Sequence, residues 1–266
     1  MLAIKDVSFS YNSEDPLIKH VSLTLYEGER VAIIGKSGSG KSTLGKLIKG
    51  LLTPTEGSIE FSNNLRGADI GFLFQNPDNQ MVRPIVEDDL AFGLENQSVQ
   101  ASEISKRIDT YGKKLDIHHL RTRPINELSG GQKQRVALAG ILILEPKWLI
   151  LDEATAMIDP EGRKEILQYM DQLQHEGTSI VTITHDAEEV AKCTRIIGLV
   201  DGEIGFDGSL LPLLDDPKIM EELGLDAPFL YTLINDLNAN GIHVNKNAIT
   251  SDEELCDALW RFALKT

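Results

Sequence analysis

Four consecutive apolar residues, Val31 to Ile34, run directly into a glycine-rich octet, Gly35, Lys36, Ser37, Gly38, Ser39, Gly40, Lys41 and Ser42, which opens a helical pattern to Lys49. Few folds accommodate that order. A buried strand must turn sharply at its end, and glycines allow the turn because they carry no Cβ. The N–H groups at the start of the next helix are left bare, and such helix ends bind anions. The octet fits the phosphate-binding loop pattern: Lys41 reaches the β and γ phosphates of a nucleotide and the Ser42 hydroxyl ligates Mg²⁺. Trp148 to Leu151, Ile180 to Ile183 and Ile196 to Val200 are further short apolar runs, as expected of parallel strands covered on both faces. Helix-like stretches between them give an α/β core.

Around this core the patterning changes. Leu2 to Phe9, Val21 to Leu25 and Gly57 to Phe61 alternate apolar and polar residues, which predicts a half-exposed antiparallel β-subdomain. Val86 to Gln97, Ser102 to Leu115 and the segment up to Asn126 carry helical spacing, so a helical subdomain is expected at about residues 84–144. After Gly208 the strand signals stop. Helical patches at Pro228 to Leu237 and Asp252 to Leu264, the latter capped by Ser251, divide the chain into residues 1–208 and a small helical C-terminal domain, 209–266.

Charge and apolar length exclude whole classes of function. Lys and Arg total 26 against 41 Asp and Glu, a net charge of -15, which repels phosphodiester backbones and argues against a nucleic-acid partner. The longest strongly apolar uncharged run, Ala137 to Leu144, is far short of the roughly 18 to 20 residues that span a bilayer. The N-terminus lacks the pattern of a signal peptide, and Cys193 and Cys256 are isolated thiols, both pointing to a reducing cytosol.

Two further motifs carry chemistry. The apolar strand Trp148 to Leu151 ends in Asp152 and Glu153, and the carboxyl end of a parallel strand is where a Mg²⁺-organising acid belongs. Asp152 would hold the metal through water, and Glu153 would polarise the attacking water as general base. A strand ending in solvated acids is the bland alternative, and the upstream phosphate loop outweighs it. Leu128, Ser129, Gly130, Gly131 and Gln132 precede a helix expected over Lys133 to Leu144, with Ser129 as its cap. That is a second anion site in one chain.

Together these motifs, over roughly Leu2 to Gly208, resemble the ATP-binding cassettes of ABC transporters. The resemblance implies a P-loop ATPase fold with a RecA-like parallel core, an antiparallel β-subdomain and a helical subdomain; the small helical C-terminal domain beyond it, 209–266, is expected to serve dimerisation. It implies that the signature Leu128 to Gln132 closes over the ATP held by a partner cassette. Tyr11 resembles the aromatic that stacks on adenine, with Thr43 completing the ATP site; Gln75, after the strand Ile70 to Phe74, resembles the glutamine that touches Mg²⁺ and the attacking water. Asp159 resembles the aspartate of the cross-site loop, and His185 the switch histidine at the γ-phosphate. Departures are confined to Ala154 and Ala156, where proline and serine are common.

Phe74 to Gln80 and Glu87 to Asn96 resemble, more narrowly, the first of the two paralogous ATPase subunits of energy-coupling factor transporters, which take up vitamins and transition-metal ions. This implies a heterodimer with a paralogous cassette, a transmembrane coupling subunit, a substrate-binding membrane subunit, and a peripheral position at the cytoplasmic face of the cell membrane. It also implies a groove at Asn79, Gln80, Glu87 and Asp88 that accepts arginines from the coupling subunit. The acids of that turn equally suit an ordinary helix N-terminus. An ATPase of a cobalt or nickel importer, and a regulatory ATP-binding protein that drives no transport, remain open alternatives; the second would be favoured by loss of Glu153 or His185, and both are present.

Overall fold

The computed structural model describes residues 1–12, 15–62, 65–249 and 251–263. Along the chain run β1 (Leu2–Phe9), β2 (Ile18–Leu25), β3 (Arg30–Ile34), α1 (Lys41–Lys49), β4 (Glu56–Phe61), β5 (Ile70–Leu73), α2 (Val86–Asn96), α3 (Ala101–Lys114) and α4 (Gly130–Leu142). There follow β6 (Trp148–Asp152), α5 (Pro160–His175), β7 (Ser179–Ile183), α6 (Ala187–Ala191), β8 (Arg195–Val200) and β9 (Glu203–Gly208). The tail contributes α7 (Leu210–Leu214), α8 (Pro217–Leu223), α9 (Phe229–Ala239) and α10 (Asp252–Ala263). Leu264, at the expected end of the last helix, lies outside the described residues.

Among the described residues two sheets form. The larger has the order β5-β6-β7-β3-β8-β9, parallel except for β9. Strands β3, β6 and β7 are buried at every position, which is why they read as unbroken apolar runs rather than alternating ones. The smaller sheet, β2-β1-β4, is antiparallel, with Leu2 opposite both Leu25 and Phe61. Its apolar face shares one cluster with α1 and with Ile150, Val181 and Ile183 of the large sheet. Helix α1 can lie close on those strands because Gly45 faces them: a Cβ there would stand 2.7 Å from Ile183 Cδ1.

On another flank α2, α3 and α4 pack with α5 into a second cluster that includes Leu149, Leu151 and Ile180. Val86, Leu90 and Leu94 of α2 are all buried, as their i, i+4, i+8 stripe predicts. Two details correct the sequence reading. The stretch before Asn126 is not a helix but two 3₁₀ turns and a bridge pairing Ile85 with Pro124, because proline forces the residue before it out of helical geometry. Helix α4 begins at Gly130, three residues earlier than expected, since Ser129 caps across both glycines.

Beyond Gly208 the helices do not stand apart from the sheet. Leu213, Leu223, Leu230 and Ile234 form a single apolar cluster with Ala32, Ile34 and Ile196.

Candidate functional site

The phosphate loop leaves β3 in backbone that only glycine adopts readily. Gly35 has φ 148°, and Gly40, the N-cap of α1, has φ 101°. A side chain at Gly35 would strike the Leu199 carbonyl, and one at Gly40 would come within 2.6 Å of Ile18 Cδ1. The loop therefore needs these glycines for space as well as for dihedral freedom.

Lys41 Nζ folds back over the loop, donating to the carbonyls of Gly35 at 2.7 Å and Lys36 at 2.9 Å. These are the contacts an anion in the loop would replace. Burial lowers its pKa from the ordinary lysine value, while the Glu153 and Asp152 carboxylates oppose that shift. Ser42 Oγ donates to Asp152 Oδ1 at 3.0 Å, joining the first turn of α1 to the end of β6. Asp152 is buried, which pushes its carboxyl above the usual range; the Ser42 hydrogen bond offsets this, and neighbouring Glu153 adds to it.

Glu153 sits at the focus. Its φ is 49°, unusual for a residue with a Cβ, and its N–H donates to the Ile183 carbonyl at 2.9 Å. The Gln75 amide donates to Oε2 at 2.6 Å, and His185 Nδ1 lies 3.4 Å from Oε1. Gln75, Glu153 and His185 come from the ends of three neighbouring strands, β5, β6 and β7. With Leu17 and much of the span from Gly35 to Thr43 they line a cleft of 480 Å³, within the range of small-molecule sites. Leu17 carried no signal in the sequence. Tyr11 stands at the other end of the loop, its ring exposed and packed edge-on against Phe9, its hydroxyl 3.1 Å from Thr43 Oγ1.

The donor set suits Mg²⁺. A hydroxyl, a carboxylate and an amide oxygen are hard ligands, and no cluster of three or more His, Cys, Asp or Glu that would hold a metal on its own occurs among the described residues. Mg²⁺ takes few protein ligands and fills its shell with phosphates and water.

The signature residues are elsewhere. Ser129 Oγ accepts from Gln132 N at 3.3 Å, and Gln132 Oε1 accepts from Ser129 N at 3.0 Å, a reciprocal cap. Gly130 and Gly131 abut Met157, so this turn and the loop ending at Asp159 share one surface. Asp159 caps α5, accepting from Gly162 N at 2.9 Å. Neither Leu128 to Gln132 nor Asp159 lines the cleft of their own chain.

The expected docking face is largely engaged within the chain. Gln80 accepts from Phe74 N at 3.4 Å and donates to the Ala137 carbonyl at 3.1 Å, bridging β5's end to α4. Glu87 pairs with Arg121, which also holds Asp109, and Asp89 accepts from Val82 and Arg83 N–H groups. Asn79 and Asp88 are exposed.

Comparison with known proteins agrees with this geometry. The ABC transporter family profile matches residues 18–156. The energy-coupling factor transporter ATP-binding protein EcfA1 of Halalkalibacterium halodurans is 41% identical over 272 residues, spanning 98% of this chain and 97% of that protein. The structure of cbiO1 from Clostridium perfringens, described as part of the ABC transporter complex cbiONQ, superposes with a TM-score of 0.71 at 34% identity, covering 88% of this chain and 98% of that one. A dimeric ATP-binding cassette in a post-hydrolysis state with ADP and Pi superposes with a TM-score of 0.72 at 31% identity, over 79% and 99%. A parallel core with a phosphate loop, two carboxylates at the end of β6 and this likeness along nearly the whole length place the chain in the ABC transporter family, among the ATP-hydrolysing subunits of energy-coupling factor transporters.

Proposed function

We propose that the chain hydrolyses ATP to power uptake of a vitamin or related micronutrient, paired head to tail with a paralogous cassette beneath a transmembrane coupling subunit and a substrate-binding membrane subunit. The observation that carries this reading is the Glu153 carboxylate held between the Gln75 amide and His185 at the mouth of the phosphate-loop cleft. Lys41 exchanges its carbonyl partners for β and γ phosphate oxygens, and the bare N–H groups of the loop and α1 receive the rest of the charge. Glu153 accepts the proton of the attacking water. Gln75 and His185 orient that carboxylate, and His185, largely exposed, is free to meet the γ-phosphate. Ser42, Gln75 and, through water, Asp152 would hold Mg²⁺, which neutralises charge on the phosphates. Tyr11 offers its exposed ring to the adenine.

A cassette whose signature does not line its own cleft is incomplete alone. In the pair, Ser129 to Gln132 meet the partner's nucleotide, Asp159 bridges the two sites, and residues 209–266 serve dimerisation. Attachment to the membrane is through the membrane subunits; no helix among the described residues is long and apolar enough to cross a membrane. Asn79 and Asp88 accept arginines of the coupling subunit, with Gln80 and Glu87 contributing once their internal partners are exchanged.

Glu153→Gln tests the core of this. ATP binding should persist while hydrolysis by the assembled complex falls by about 10² to 10⁴, the range for loss of a general base. Hydrolysis at the parent rate would require a different base and end the reading.

A further inference from the structure

Behind the cleft lies a second layer of charged groups that no motif announces. Thr155, two residues after Glu153, donates its hydroxyl to Glu189, whose carboxylate is 3% exposed. Glu189 belongs to α6, four residues beyond His185. Asp186, directly after His185, caps α6 by accepting the N–H groups of Glu188 at 2.9 Å and Glu189 at 3.1 Å. The same Asp186 oxygen, Oδ1, pairs with Arg163 Nη2, and that nitrogen lies 3.7 Å from Glu189 Oε1. Arg163 projects from the first turns of α5, the helix capped by Asp159.

One guanidinium thus stands between two carboxylates, one following His185 and the other holding the chain that follows Glu153. A buried carboxylate, Glu189, beside the half-buried Asp186 is unfavourable without a cation, so the three side chains hold one another in place. The cleft residues need such a support. Glu153 sits in the left-handed region, which persists only when its surroundings over-determine it. The His185 side chain is 68% exposed, so little packs against the ring and its place depends on the turn that carries it.

We propose that Arg163 and Glu189 are positioning residues for ATP hydrolysis, fixing the turn that carries Glu153 against the turn that carries His185. Neither lines the cleft, so they act through Thr155 and Asp186. Because Asp159 caps the helix that carries Arg163, a partner cassette that shifts Asp159 reaches His185 through one turn of α5. The inference rests on the reading that Glu153 and His185 serve hydrolysis.

Steady-state hydrolysis against ATP concentration, measured on the full chain with its co-purifying membrane subunits, tests it with Arg163→Met, Arg163→Lys, Thr155→Val and the Arg163→Met/Thr155→Val double variant. Misplacement of reacting groups predicts a kcat lowered by about 10 to 100-fold in Arg163→Met, with KM for ATP within about threefold. Arg163→Lys should recover part of the loss, and the double variant should be no slower than Arg163→Met alone, because both break one network. Thr155→Val removes only the hydroxyl and keeps the β-branched shape, so it reports even if Arg163→Met does not fold. An unchanged kcat in Thr155→Val or a folded Arg163→Met overturns the proposal, as does a fall in kcat that multiplies in the double variant or that only tracks a lowered Tm. Glu153→Gln in parallel separates the two levels. If it stays active, the reading of the site has failed; if it is inactive while the other variants match the parent, only the positioning role has failed.

Discussion

Asp186 shows how much one side chain is asked to do: it caps a helix, pairs with Arg163 and adjoins His185. Burial alone would raise its carboxyl, but the paired Arg163 guanidinium and the N–H groups of Glu189 and Glu188 outweigh burial and hold it below the ordinary value. A depressed folded-state pKa contributes stability above the unfolded value, about 3.9, and loses it as pH falls through the folded one. The parent should therefore lose unfolding free energy on acidification below about pH 4 by an increment that Asp186→Asn does not show. Urea unfolding of both proteins between about pH 6 and pH 3 checks this, and parallel curves would refute it. Glu153 and Ser42 differ from Asp186 in how visible they are. Both sit in motifs whose spacing announces them. The Arg163 and Glu189 contacts join residues 26 apart in sequence, held by side chains, so no local pattern records them.

Helix α4 carries two roles at its first turn. Ser129 satisfies one of its orphan N–H groups, that of Gln132, and the proposed function also gives that hydroxyl to the partner's nucleotide. The two are separable. Aspartate caps as well as serine, whereas alanine does not and costs about 1 kcal/mol. Ser129→Asp should leave thermal unfolding near the parent's while placing a carboxylate against a phosphate and suppressing hydrolysis in the assembled complex. Ser129→Ala should lower stability by that amount and weaken hydrolysis less. A Ser129→Asp complex as active as the parent would mean the signature does not face nucleotide. The hairpin β8–β9 makes the opposite point about elements: Asp201 and Gly202 both have positive φ, the two-residue turn that Asp-Gly favours, yet no alternating pattern announces β9. Its signal lay in the turn and not in the strand, where acids and glycines blur the alternation.

Across the whole molecule the three apolar clusters meet on one sheet. The C-terminal helices contribute to it directly: α8 lies against β8 at Gly198, where a Cβ would come within 2.7 Å of both Leu223 methyl carbons. Leu213 of α7 is fully buried in the cluster shared with Ile34 and Ile196. Leu213→Ala should accordingly cost about 2 to 5 kcal/mol of global stability, seen as a single urea transition moved to lower concentration. A loss confined to a separate early transition, with the main one unmoved, would show that the tail folds on its own.

The phosphate loop, the strand ending in Asp152 and Glu153, and the capped signature helix were determined by the sequence itself, because each depends on neighbours within a few residues: a glycine's dihedral freedom, a strand's unbroken apolar run, a cap's reach of three positions. Only the tertiary structure decided that Gln75, Glu153 and His185 converge, since three separate strand ends become neighbours only through the β5-β6-β7 order of the sheet. The same holds for Glu87 and Gln80, which read as a free acidic turn and a surface amide until folding supplied Arg121 and the Ala137 carbonyl as partners. Long-range pairing is set by packing, and a linear pattern carries no record of which distant side chain packing delivers.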